Sequence, residues 1–210
     1  PNLYLFKILE FNDNNNNFKI NPRFALFKYV VFAKNFFAQT ENYINKEKLN
    51  DLKFLNKNYQ YSKKILNNKN DSNRKNIFIH IRLMDYKEIN HGMKIDLSLQ
   101  WYFDCIKIFE KKFNNPFFII LSDDTNIYKN FQNKDKFYCS RNNFEIDFCL
   151  MSLCDGGILS ASSFSWWGAW FAKQNKSFSY FIGPNYWMGF YEKKWFPKYI
   201  KSKFIDYKEA

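Results

Sequence analysis

No stretch of apolar residues in this chain is long enough to cross a bilayer as a helix, so a spanning segment is not expected. Histidine is down to two residues, and the four cysteines, Cys105, Cys139, Cys149 and Cys154, include no CxxC pair and have no histidine nearby. A zinc site is therefore not expected, and reduced, mostly buried thiols in a cytosolic chain are the simpler reading. Acidic residues are in deficit, 20 against 32 Lys and Arg, which leaves a net charge of +12. That balance calls for a negatively charged partner: nucleic acid, an anionic membrane surface or a phosphorylated substrate. The opening residues carry no signal-peptide pattern, and a chain starting at Pro1 reads as a fragment or a trimmed form.

What is present is a folding sequence. Hydrophobic residues fill 46% of the 210 positions and aromatics 22%, which supports a packed core in one or two domains. The surplus of Asn, Lys, Ile and Phe draws on AT-rich codons and reads as a genomic bias rather than a functional one. Residues 1–22 start apolar and pass into an Asn-rich tract that reads as a surface loop. Residues 23–37 fit a strand or a buried helix equally well. In residues 41–55, Tyr43, Ile44, Leu49, Leu52 and Leu55 among charged positions predict an amphipathic surface helix. The stretch 63–76 is polar and basic, and the run of Asn, Lys and Asp that ends it reads as a linker, dividing the chain into residues 1–76 and 77–210.

From Ile77 onward the pattern is regular. Residues 77–81 form a β-rich run, and Leu99, Tyr102, Ile106, Phe109 and Phe113 mark one helix face. Pro116 stops that helix, and residues 117–121 form a second apolar strand. A short helix over 125–131 and a short strand over 136–139 follow. Ile146, Cys149, Leu150 and Leu153 then mark another helix face. A strand over 157–160, a helix from Ser163 and a last strand over 178–182 complete the alternation, closed by Gly183 and Pro184. Alternating strands and helices predict an α/β fold with a Rossmann-like parallel sheet covered on both faces. In such folds ligands bind beyond the carboxyl ends of the strands. Those ends carry His80 and Arg82, then Ser122-Asp123-Asp124, then Ser160 to Ser165, all on one edge.

Each of these residues has two readings. Ser162, Ser163 and Ser165 precede or open a helix, where they either cap it or present hydroxyls to an anion held by its first N–H groups. Three tryptophans in five residues, Trp166, Trp167 and Trp170, make that helix too unusual for an ordinary cap. Arg82 offers a planar fork for phosphate, or sits in a structural ion pair with Asp85. His80 is a core residue or a ligand contact, and His91 reads as a solvated loop residue. Asp123 and Asp124 could cap the next helix, hold a metal or accept bonds from a base or sugar. An adjacent carboxylate pair without a spaced third is a poor metal site, so no metal is expected.

The run His80-Ile81-Arg82-Leu83-Met84-Asp85-Tyr86, the Ser-Asp-Asp ending at Asp124 and the block Ser162-Ser163-Phe164-Ser165-Trp166-Trp167-Gly168-Ala169-Trp170 resemble the α-1,2-fucosyltransferase family, glycosyltransferase family 11. So do Leu150-Met151-Ser152-Leu153-Cys154, the Phe-Ala-Gln-Thr-Glu-Asn-Tyr segment ending at Tyr43, and Pro184 to Trp187. The resemblance covers most of residues 30–190, in order. It implies a GT-B type, inverting, metal-independent enzyme that needs no cofactor and takes GDP-fucose as donor. The acceptor implied is a galactose-type hydroxyl of a glycan, joined in α-1,2 linkage. It further implies that Arg82 binds the diphosphate and that Ser162, Ser163 and Ser165 lie at the donor. His80 and one of Asp123 or Asp124 are implied to address the guanine nucleoside, with Asp85 as candidate base.

The sequence departs from the family in three places. Leu83 and Met84 stand where a second Arg and a Gly are usual, and a lost charged fork is worth about 1.5–3 kcal/mol of donor binding. Ala161 replaces the Asn that often precedes the serine pair. The family's Gly-rich N-terminal segment is not present, so residues 1–76 are expected to be the remainder of an incomplete acceptor-side domain and residues 77–210 the nucleotide-sugar domain. A chain that only binds GDP-sugar is the alternative. A nucleic-acid binder is not expected, because the aromatics fall at core-like periodic positions and the lysines are scattered. The expected setting is bacterial and cytoplasmic, with peripheral association at the inner membrane.

Overall fold

The computed structural model describes residues 6–12, 28–34, 54–69, 74–88, 95–198 and 200–210. Two N-terminal strands, β1 (Phe6–Asn12) and β2 (Lys28–Lys34), pair in parallel as a separate two-stranded sheet. The ambiguous stretch 23–37 thus contains a strand. Helix α1 (Asn56–Lys69) follows. The helix expected over 41–55 falls almost wholly outside the described residues, and Phe54 and Leu55 lie just ahead of α1.

Helix α1 runs to Lys69, so it takes in the first half of the polar stretch 63–76 and the first residues of the run expected to be a linker. The buried positions of α1 are Asn58, Ser62 and Leu66, one turn apart, and two of the three are polar. Asn58 Nδ2 donates to Glu145 Oε2 at 3.0 Å, and Ser62 Oγ donates to the Ile146 carbonyl at 3.4 Å. A docking face made of hydrogen bonds leaves no apolar stripe to detect.

The remaining strands are β3 (Asn76–Ile81), β4 (Phe117–Ser122), β5 (Phe137–Cys139), β6 (Gly156–Ile158), β7 (Tyr180–Pro184) and β8 (Ile205–Lys208). They form one all-parallel sheet in the order β5-β4-β3-β6-β7-β8. Helices α2 (Met84–Glu88) and α3 (Leu99–Lys112) lead from β3 to β4, and a 3-10 turn, Thr125–Asn130, leads to β5. Helix α4 (Phe144–Leu153) joins β5 to β6, and α5 (Ser163–Asn175) joins β6 to β7. The β6 strand is shorter and earlier than the expected 157–160. The last expected strand, 178–182, begins at Tyr180 because Phe178 lies 57% exposed outside the sheet. Gly183 and Pro184 belong to β7 and do not close the fold. A further edge strand, β8, extends the sheet by pairing with β7.

Side chains of successive strand residues point to opposite faces, and both faces are buried. Ile77, Ile79 and Ile81 pack with Trp101, Tyr102, Cys105, Ile106 and Phe109 of α3. Phe78, Ile119 and Leu121 pack on the other face with Leu150, Met151, Trp166 and Trp170 from α4 and α5. Ser98 caps α3 by accepting from Trp101 N–H at 3.2 Å, and Asn143 caps α4 by accepting from Ile146 N–H at 3.0 Å. Cys105, Cys149 and Cys154 are buried, Cys139 is half-buried, and none of the four is in a disulfide. Among the described residues no helix is long and apolar enough to cross a membrane.

Strand order runs outward from β3 in one direction and from β6 in the other. The two neighbours therefore diverge in their connections, which opens a crevice beyond their carboxyl ends.

Candidate active site

That crevice is bordered by the residues singled out in the sequence. Ser160 N–H donates to the His80 carbonyl at 3.1 Å, tying the end of β6 to the end of β3. His80 itself is buried, with Nδ1 2.7 Å from Ser160 Oγ and its ring 5.5 Å from that of Phe164. Burial, reinforced by the nearby Arg82 charge, pulls the imidazole down to about 3, so His80 is neutral.

Arg82 follows the strand and is partly exposed. Its Nε donates to Asp85 Oδ1 at 2.7 Å and its Nη2 to Asp85 Oδ2 at 2.9 Å, a two-pronged pair. Asp123 Oδ2 lies 3.3 Å from the same Nε. The hydrogen bonds to Arg82 hold the Asp85 carboxyl below its usual range, while Asp85 raises the guanidinium. The ion-pair reading of Arg82 is the one the structure shows, and the pair fixes the orientation of the fork. These contacts use Nε and Nη2 and leave Nη1 out.

Asp123 does more than balance charge. Its Oδ1 accepts from Leu83 N–H at 2.9 Å and its Oδ2 from Met84 N–H at 3.2 Å, so it holds the turn that starts α2. The two positions where the sequence departs from an Arg-Gly pair therefore contribute backbone donors. Asp124 caps the 3-10 turn, accepting from Asn126 N–H at 3.0 Å.

On the other side of the crevice stands the start of α5. Ser162 is the N-cap residue, buried, and makes no side-chain capping bond. Ser163 is exposed at the first helical position. Ser165 is fully buried and donates to the Ser160 carbonyl at 3.0 Å and the Ser162 carbonyl at 2.9 Å. The tryptophans serve packing. Trp166 is fully buried with Nε1 donating to Ser202 Oγ at 2.8 Å, Trp170 is buried, and Trp167 lies edge-on to both Trp166 and Trp170.

The structure therefore brings His80, Arg82, Asp85, Asp123 and the serine loop to one edge, with Asp124 at the neighbouring turn. A guanidinium and the N-terminus of a 13-residue helix at the same sheet edge are groups of the kind that bind a diphosphate. Among the described residues no cluster of three or more His, Cys, Asp or Glu is placed to hold a metal ion.

Residues 14–194 match the family model of glycosyl transferase family 11. The chain belongs to that family. The alpha-1,2-colitosyltransferase of Escherichia coli is 34% identical over 119 residues, which are 53% of this chain and 40% of that protein. The O-antigen biosynthesis glycosyltransferase WbnK of Escherichia coli is 29% identical over 166 residues, covering 75% of this chain and 53% of WbnK. The chain thus spans 40% and 53% of the length of these two curated relatives. A crystal structure of POFUT1 in complex with GDP-fucose aligns with a TM-score of 0.51 at 12% identity, over 74% of this chain and 54% of that one. POFUT1 in complex with GDP aligns at 0.50 and 11%, over 74% and 55%. At such identity the likeness is one of fold, and the fold is the expected Rossmann-like α/β sheet of GT-B type.

Two residues at this edge were not assigned roles from the sequence. Ser160 is the partner of His80, and Tyr86 donates its hydroxyl to the Ala161 carbonyl at 2.5 Å, linking α2 to the serine loop. Their neighbourhood in the sequence motifs was visible, but a contact across 75 or 80 residues has no local signal.

Proposed function

We propose that this chain is the donor-binding part of a glycosyltransferase that moves fucose from GDP-fucose to a galactose-type hydroxyl of a glycan, in α-1,2 linkage, with inversion and without a metal. The observation that carries this reading is the Arg82 fork, held by Asp85 and Asp123 at the end of β3, the strand that pairs with β6 ahead of α5. The POFUT1 structures with GDP-fucose and GDP share the fold, and the family relatives are a colitosyltransferase and an O-antigen glycosyltransferase. These support a GDP-sugar donor and a glycan acceptor.

In this mechanism Arg82 and the α5 N–H groups hold the diphosphate and stabilise its growing charge as the bond to the sugar breaks. Ser162 and Ser163 donate to phosphate oxygens, and buried Ser165 keeps the loop in shape. Neutral His80 and one of Asp123 or Asp124 address the nucleoside. Fixed positive charge aimed at a leaving group is a large catalytic contribution, and here it takes the place of a cation. The acceptor hydroxyl attacks the sugar carbon from the side opposite the diphosphate; the new glycosidic bond forms as the bond to GDP breaks, GDP leaves, and the hydroxyl proton passes to solvent water. Asp85, with its carboxyl held low by Arg82, is a weak proton acceptor and acts on this reading through Arg82.

The test is fucose transfer from GDP-fucose to a galactoside in the presence of EDTA, with a colitosyl donor as competitor, alongside calorimetry with GDP. Arg82→Ala should weaken GDP binding by about 10- to 150-fold, the equivalent of about 1.5–3 kcal/mol for a charged hydrogen-bond partner. GDP binding with no turnover favours the binding-only alternative. Binding of polynucleotide instead of GDP would overturn the reading.

A further inference from the structure

We infer that Tyr86 is a positioning residue that latches the arginine-bearing turn to the serine loop, so that both halves of the diphosphate site are presented as one rigid unit. The inference rests on the donor reading above and concerns how that site is held together.

The two halves come from distant parts of the chain. Arg82 lies on the turn after β3, and Ser162 and Ser163 open α5 after β6. Strand pairing alone fixes only their bases: the register ends at Ile79 opposite Ile158, and the last backbone bond runs from Ser160 to His80. Beyond that point each segment departs from the sheet. What spans the gap among the described residues is the Tyr86 phenol, which donates to the Ala161 carbonyl at 2.5 Å.

The near side of the latch is stiff. Tyr86 sits in α2, whose first turn is held by Asp123 through the Leu83 and Met84 N–H groups, and its neighbour Asp85 grips Arg82 by two prongs. The far side is stiff as well. Ala161 is buried between Ser160, bonded to His80, and Ser162, whose carbonyl accepts from Ser165. A single hydroxyl thus joins two locally braced segments. The tyrosine is half-buried, and that burial pushes its titration well above the ordinary tyrosine value, so it keeps its proton for this bond. Held geometry is what makes a charge site effective, since nothing need reorganise when the ligand arrives.

The experiment is calorimetry with GDP on the wild type, Tyr86→Phe, Arg82→Ala and the double variant. Phenylalanine keeps the ring and removes only the latch. We expect Tyr86→Phe to weaken GDP binding by about tenfold, with no further loss when it is added to Arg82→Ala, because the latch works through the arginine. A merely structural tyrosine gives the same loss in both backgrounds, and that additivity overturns the inference, as does unchanged affinity in a folded Tyr86→Phe. Wild-type protein that fails to bind GDP at all overturns the donor reading and this one with it. Hydrogen exchange on the wild type gives a second measurement that needs no variant. GDP should slow exchange at residues 83–86 and 160–163 together, and protection of one segment without the other breaks the latch model.

Discussion

At the scale of single residues the structure separates groups that look alike in the sequence. Asp85 and Asp147 are both carboxylates near a helix start, yet Arg82 holds the first low while burial raises the second. Burial lifts it from 3.8 to about 6, against the bond it accepts from Ser140 Oγ at 2.5 Å. Because the folded form prefers the protonated acid, its contribution to stability is complete below about pH 4 and is lost as pH rises through about 6. Asparagine mimics the protonated acid. Asp147→Asn should therefore be more stable than the wild type by up to about 3 kcal/mol near pH 8, and about equal to it near pH 4. Urea unfolding at both pH values checks this, and an equal difference at the two would refute it. His80 runs the other way: its folded value of about 3 lies below the ordinary 6.5, so its stabilising effect is full above about pH 6.5 and falls off in acid.

At the scale of elements, what could be read depended on which side chains do the docking. The strands β3 and β4 and the helix α3 bury uninterrupted apolar faces, and the sequence pattern found them within a residue or two. Helix α1 docks through Asn58 and Ser62 and went unseen. Strand β8 is short and lies at the sheet edge with only Ile205 buried, so it carries too little pattern to be found. The α4–α5 contact depends on one missing side chain. A Cβ at Gly168 would stand 2.8 Å from Met151 Cβ and 2.9 Å from its Sδ. Gly168→Val should cost about 1–3 kcal/mol by overpacking this contact, despite removing a flexible glycine from a helix. Thermal melts measure it, and paired with Met151→Gly, which removes the clashing Cβ as well as the sulfur, the combined loss should be smaller than the sum of the two single losses. Additive losses would mean that the strain lies elsewhere.

At the scale of the whole molecule the proposed donor and the fold are one equilibrium. A ligand that binds only the folded state raises stability by mass action, about 2.7 kcal/mol when GDP is a hundredfold above its dissociation constant. For a chain of this size that is a rise in melting temperature of about 5–10 °C. EDTA should leave that rise unchanged if the diphosphate is held by Arg82 and the α5 start alone. A rise that vanishes on chelation would show that a cation completes the site.

Much of this was written locally. Apolar runs at strand length, helix faces at a spacing of three and four, and polar residues just past each strand determined an α/β sheet with its chemistry at the carboxyl edge. The motifs around Arg82 and Ser163 determined the family. Tertiary structure decided the rest, because it turned on pairs far apart in the chain. It set the strand order that puts β3 beside β6, the covering of α1, and the meeting of Tyr86 with Ala161. Periodicity records which face of an element is buried, but not which other element buries it, and a hydrogen bond across 75 residues leaves no trace in either neighbourhood.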